Sequence, residues 1–263
     1  LLREPLPKGR WEADEFFAWQ ALAGCNPTVI QRMAAPLTKF PVTNAHFQAA
    51  IGAHDTLERA LAERRLYVAD YWALDGFTGG STDGHAKYVW APIALYCQQP
   101  AHDGKPSAFL PVAIQCGQHP GPEAPIFTPA DGTSWLMART TVAVADSQDQ
   151  GLGRHFGCCH LVMQAVAMAI RRQLGARHPL RILLDPHTEN TLIANEICRT
   201  SLTNPGGIVD RLQAMELSVS MQFCNDAVAR FRLLQSDPVQ DCAARGVDDV
   251  GALPVYPHRD DQL

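Results

Sequence analysis

The stretch from Gln150 to Gly175 constrains this chain more than any other. Its middle, Leu161 to Ile170, is apolar nearly all round and interrupted only by Gln164. A helix without a polar face belongs at the centre of a domain, with the other elements built around it. The run is about half of what a bilayer crossing needs, so it predicts a buried helix and no membrane span. With 263 residues, 46% of them hydrophobic, the chain has enough material for such a core. Its net charge of −5 lacks the basic footprint that nucleic-acid phosphates require.

The rest of the chain arranges itself around that helix. Asp14 can cap a helix running from Glu15 to Ala23 and ending at Gly24, and Asn26-Pro27 predicts a second short helix from Thr28 to Met33. Thr56 to Arg65 reads as a charged amphipathic helix. Leu66 to Trp72, Tyr88 to Tyr96, Ala108 to Cys116 and Thr140 to Ala145 are rich in β-branched and aromatic residues, most of them separated by Gly/Pro/Asp punctuation. They predict the strands of a small antiparallel sheet. Asp185-Pro186-His187 is a further helix-start signal, and Asn204-Pro205-Gly206-Gly207 a stop. The expected fold is mainly α, with central buried helices and a small antiparallel β insert. Its parts are an opening helical region (1–65), a small sheet region (66–145), and central helices with the loops that follow (146–263).

His155 and His160 lie on the central helix. With ten histidines in the chain, chance alone supplies a pair at this spacing roughly as often as not. Geometry is more informative. Residues five apart on an ideal α-helix point about 140° away from each other. A single π-turn, closed by an i→i+5 bond, would bring both imidazoles to nearly one face. Paired imidazoles suit iron, zinc, copper or nickel. The competing reading is two histidines hydrogen-bonded within the core. The eight cysteines contain no CxxC pair, and adjacent Cys158 and Cys159 do not readily bridge each other. Free thiols are therefore expected, and at most one of that adjacent pair could join the histidines at a zinc or copper site.

Several separated motifs, in order, resemble the catalytic domain of the lipoxygenase family. They are Trp11-Glu12-Ala13-Asp14-Glu15-Phe16 with Leu22 to Ile30, Arg65 to Tyr71, Trp135 to Arg139, His155-Phe156-Gly157-Cys158-Cys159-His160, His178 to His187, and Asn195 to Leu202. The resemblance implies that His155 and His160 bind a non-haem iron, and that the enzyme forms a hydroperoxide from O2 and a polyunsaturated fatty acid of linoleate or arachidonate type. It also places Cys198 at the position linked to oxygen access, where the family carries Ala or Gly, Leu202 at a leucine arching over the iron, and Val209 on the pocket wall. For these three the competing reading is ordinary core packing. His178 and His187 fall on helix-junction positions, and Asn195 and Arg199 on framework hydrogen-bonding ones.

The sequence also departs from the family. Gly151 stands where a Gln usually precedes the first ligand by four residues, and Phe156-Gly157-Cys158-Cys159 is an unusual filling between the ligands. The family completes its iron site far downstream, with a third His, an Asn or His four residues later, and a C-terminal Ile carboxylate. No His-x3-Asn follows His187, and Leu263 is not that Ile. The ends, Leu1-Leu2-Arg3 and Tyr256 to Leu263, look cut, and the last resembles a tract midway through the family's domain. The expectation is thus a partial catalytic domain that needs a C-terminal remainder as its partner. It could arise from a nicked or split enzyme, a longer chain, or a relative that has lost catalysis. The alternative is a silent lipid- or partner-binding half-domain. Soluble behaviour is expected; the compartment stays open.

Overall fold

In the computed structural model, which describes residues 10–261, the chain opens with helix α1 (Asp14–Ala23), strand β1 (Ile30–Arg32) and helices α2 (Asn44–Ile51) and α3 (Leu57–Ala62). Strand β2 (Leu66–Asp70), a hairpin of β3 (Ser81–Thr82) and β4 (His85–Ala86), and strands β5 (Ile93–Gln99), β6 (Ala108–Gln115) and β7 (Ile126–Phe127) follow. Helix α4 (Thr133–Gln148) passes directly into a π-helix, Asp149–Leu161, and that into α5 (Val162–Gln173). Then come α6 (Pro179–Thr188), α7 (Thr191–Ile197), a second π-helix (Cys198–Leu202), α8 (Ile208–Leu212), α9 (Leu217–Arg230), α10 (Pro238–Arg245) and α11 (Pro257–Asp260). Leu1-Leu2-Arg3 and Gln262-Leu263, on which the reading of the ends rests, lie outside the described residues.

The chain divides into two compact units, one from residues 10–75, 90–146 and 233–261, the other from 76–89 and 147–232. The first is built on a fully antiparallel five-stranded sheet in the order β1-β2-β5-β6-β7. Strand periodicity sorts its side chains. Leu66, Val68, Ile93, Leu95 and Cys97 join a cluster with Met33, Phe40, Phe47, Ile51 and Ala60. From the opposite face, Tyr96 stacks on Phe109 and meets Phe17 of α1, with ring centroids 5.4 and 5.8 Å apart. Both faces of β2 and β5 are thereby covered, as their nearly continuous burial requires. Pro111, which has no N–H to give to a ladder, sits where the register with β5 shifts between Leu95 and Tyr96. All eight cysteines are free thiols.

The mainly α fold with a small antiparallel sheet is as expected, and four local readings change. Thr140 to Ala145 is not a strand; it lies within α4. Trp135, Ala138, Val142 and Ala145 are buried at helical spacing, and the hydroxyls of Thr140 and Thr141 donate to the carbonyls of Leu136 and Met137 at 2.9 and 3.1 Å. Asn26-Pro27 starts a single 3-10 turn, Pro27–Val29, after which β-branched Ile30 enters strand β1. Asp14 is the first residue of α1, behind Ala13 as cap; its carboxylate instead accepts from the Trp135 indole at 2.7 Å and pairs with Arg139 at 3.0 Å. Pro186 lies inside α6, whose start is set by His178, with Nδ1 accepting from Leu180 N at 3.2 Å, and Pro179 at the first helical position. The missing N–H at Pro186 leaves only the carbonyl of solvent-exposed Ile182 without a helical partner, where water can serve it.

The second unit is helical apart from the β3–β4 hairpin. Lys87 donates from Nζ to the Asp210 carbonyl at 2.6 Å and Thr82 from Oγ1 to the Arg211 carbonyl at 3.4 Å, which ties the hairpin to α8. Helix α5 packs on the first π-helix, α6 and α7. Within Leu161 to Ile170 only Ala167 and Ile170 are buried, and Ala165 and Ala169 are exposed. The expectation of burial all round therefore fails among the described residues, because the elements packed on α5 cover one face of it. No helix of the described residues is long and apolar enough to cross a membrane.

Candidate metal centre

The rewinding that the His155/His160 spacing demands is present. The segment Asp149–Leu161 is a π-helix, and it presents both imidazoles on one side. His155 Nε2 and His160 Nε2 approach to 3.2 Å, with the rings inclined at 66°. Two nitrogens bound to one ion at the usual 2.0–2.1 Å, and separated by an angle near 100°, would lie about 3.2 Å apart. The pair therefore fits two adjacent positions of a single metal ion. Among the described residues no group of three or more His, Cys, Asp or Glu side chains gathers at one point to complete such a site.

Glycines explain why the rewound helix lies where it does. An ideal Cβ on Gly153 would meet the Phe223 ring at 3.0 Å, and one on Gly157 would meet the Cys224 carbonyl oxygen at 3.1 Å and Ala227 Cβ at 3.3 Å. Both glycines are buried against α9, four residues apart, with His155 exposed between them. At Gly157 the lack of a side chain is what admits α9. At Gly151 a Cβ would lie at an ordinary 3.5 Å from Gln213 Nε2. Burial pushes the Cys158 thiol above its usual range and that of Cys224 up to about 12, so neither is a thiolate at neutral pH.

His160 is held more firmly than His155. Its Nδ1 lies 2.8 Å from Asn195 Oδ1, while Asn195 Nδ2 donates to the His160 carbonyl at 3.0 Å and to Gln164 Oε1 at 2.6 Å. Asn195, on α7, is buried, as its expected framework role requires. Sequence reasoning passed over Gln164, whose signal was its place one helical turn beyond His160. Arg199 pairs with Glu196 on an exposed surface, and His187 is exposed on α6. Cys198 opens the second π-helix, Leu202 closes it, and Val209 lies on α8, which packs against it; all three are half-buried.

Imidazoles brought together on helices are one way in which a helical protein builds a metal site, and the approach of His155 to His160 has that form. The lipoxygenase family profile matches residues 6–248, and the chain belongs to that family. It is 36% identical to a human protein named hydroperoxide isomerase over 96% of this chain and 35% of the relative. It is likewise 36% identical to a linoleate 9/13-lipoxygenase of Pseudomonas aeruginosa, over 100% of this chain and 39% of the relative. Among solved structures it superposes on the coral 8R-lipoxygenase with a TM-score of 0.87 and 32% identity, covering 96% of this chain and 37% of that one. A manganese lipoxygenase, at 23% identity and a TM-score of 0.82, shares the fold, with 98% of this chain and 45% of that one covered. The chain spans between a third and two fifths of the length of these curated relatives.

Proposed function

We propose that this chain is the part of a lipoxygenase catalytic domain, within 1–263, that brings two histidine ligands to iron for dioxygenation of a polyunsaturated fatty acid to its hydroperoxide. The observation that carries the reading is the 3.2 Å approach of His155 Nε2 and His160 Nε2 on a π-helix. The metal-bearing portion falls within 146–263. The remaining ligands are assigned to a C-terminal portion of the domain, in line with the greater length of the relatives. Iron, when bound between the imidazoles, would supply the redox chemistry that removes a hydrogen atom from the doubly allylic carbon. The chain's own residues hold and shape. His155 and His160 offer neutral nitrogens, Leu202 and Val209 present aliphatic surface to the acyl chain, and Cys198 limits the space through which O2 reaches it. Linoleate- and arachidonate-named relatives support the substrate class.

The test is metal analysis together with conjugated-diene absorbance on linoleate and arachidonate. The wild-type enzyme should hold stoichiometric iron and form hydroperoxide, and His155→Ala and His160→Ala should lose both. Retention of iron in either variant would remove the reading. One observation favours a second, silent lipid- or partner-binding role: only two donors converge among the described residues. Fatty-acid binding without hydroperoxide in the iron-loaded full assembly would select it. Because a hydroperoxide isomerase and a linoleate lipoxygenase match equally well at 36%, a fatty-acid hydroperoxide should be offered as substrate in the same assay.

A further inference from the structure

We propose that Gln164 and Asn195 are positioning residues that fix His160 in the tautomer with its proton on Nδ1, so that His160 is the pre-set ligand and His155 the adaptable one. The inference rests on the reading of the pair as ligands. The direction of the Asn195 amide is set by an unambiguous partner. The His160 backbone carbonyl can only accept, so the group 3.0 Å from it is the NH2 of Asn195. That places Asn195 Oδ1, an acceptor, 2.8 Å from His160 Nδ1, which must therefore be the N–H. In a neutral imidazole the lone pair then lies on Nε2, the atom facing His155. Gln164 takes the second hydrogen of the Asn195 amide at 2.6 Å, and the flipped amide would lose the bond to the His160 carbonyl, which can only accept. Asn195 is only 8% exposed, so water does not readily replace that bond.

His155 has no such lock. Among the described residues its hydrogen bond is the one between the two Nε2 atoms. With Nε2 of His160 bare, the proton in that contact belongs to His155. Metal capture then requires His155 to move this proton from Nε2 to Nδ1 through solvent, with no net release, whereas His160 needs no change. A ligand whose other nitrogen is engaged by a fixed acceptor binds more strongly, typically by about 10–100-fold.

The direct test is two-bond 1H–15N correlation of 15N-histidine-labelled, metal-free protein, at a pH where both imidazoles are neutral, followed by titration with ferrous ion alone. The expected result is His160 as the Nδ1–H form and His155 as the Nε2–H form. Asn195→Leu and Gln164→Leu should each convert His160 to a tautomer mixture, and Asn195→Leu should weaken iron binding about 10–100-fold. Gln164→Glu keeps the acceptor and should behave as the parent. If Asn195→Leu does not fold, Gln164→Leu at its half-buried position on α5 carries the test. An Nε2–H form of His160 in the parent, or unchanged His160 signals in Gln164→Leu, overturns the proposal. His160 as stated, with iron binding unaffected by His160→Ala, would instead overturn the metal reading and leave the lock in place.

Discussion

Arg65 and Asp55 form a buried ion pair at 2.8 Å, and Gln99 Nε2 reaches the same carboxylate oxygen at 3.4 Å. Burial pushes the Asp55 carboxyl up, but the Thr56 amide and the Arg65 guanidinium outweigh it, and the net shift is downward. A carboxyl lowered on folding stabilises the protein fully above its unfolded value of about 3.9, and that contribution is lost as pH falls through the lower folded value. Asp55→Asn should therefore flatten the fall in stability on the acid side. At neutral pH it should cost about 3 kcal/mol, the low end for breaking a buried pair, because Glu63 still reaches Arg65 at 2.8 Å. Urea midpoints at neutral and acid pH measure both effects; an unchanged acid slope would refute the assignment. At this scale the sequence was partly legible. Five-residue spacing between two histidines forces a choice between divergence and a π-turn, so the turn could be foreseen. The Gln164–Asn195 contact could not, because it depends on where α7 lands against α5.

The close approach of the first π-helix to α9 depends on Gly153 and Gly157. A methyl at 157 would gain about 1 kcal/mol of helix propensity, but overpacking against the Cys224 carbonyl and Ala227 typically costs about 1–3 kcal/mol. Gly157→Ala should thus lower the denaturation midpoint modestly, and Gly157→Val should lower it by several times more while weakening iron binding, since the wedge displaces the turn that carries both histidines. A Gly157→Val protein as stable as the parent would show that the helices do not meet here. Strand and helix signals compete within single elements, which is why part of this level was misread. In α4 the β-branched Thr140, Thr141, Val142 and Val144 suggest a strand, yet Trp135, Ala138, Val142 and Ala145 form a helical stripe. Tertiary burial of that stripe decides the outcome over local preference. Pro186 misled in the same way: a proline opens a helix in its first turn, but near an exposed C-terminal end a helix tolerates it.

The two units carry their cores differently. In the first, Leu66, Tyr67, Ala69, Ile93, Ala94, Leu95 and Cys97 are completely buried in β2 and β5, where every strand pair is antiparallel. In the second, α6, α7 and α8 expose Ile182, Leu183, Ile193, Ile197, Ile208 and Leu212, each by more than half of its surface. A segment opens locally at a free energy set largely by the apolar contacts it gives up and the access of water to its backbone bonds. Helices that bury so little apolar surface should open well before the central strands. Native-state hydrogen exchange on this chain should accordingly show β2 and β5 amides exchanging roughly a hundredfold more slowly than those of α6 to α8, a gap of about 2.7 kcal/mol in opening free energy. The first π-helix, packed on α9 through buried Gly153, Gly157 and Phe223, should fall between them. Equal protection across all three would mean that the chain opens as one cooperative whole, with the sheet and the helices of α6 to α8 sharing a single stability. Protection of α6 to α8 that rises to the level of the sheet only in a longer form of the protein would instead identify those exposed side chains as surface that further chain covers, which is the state the partial-domain reading requires.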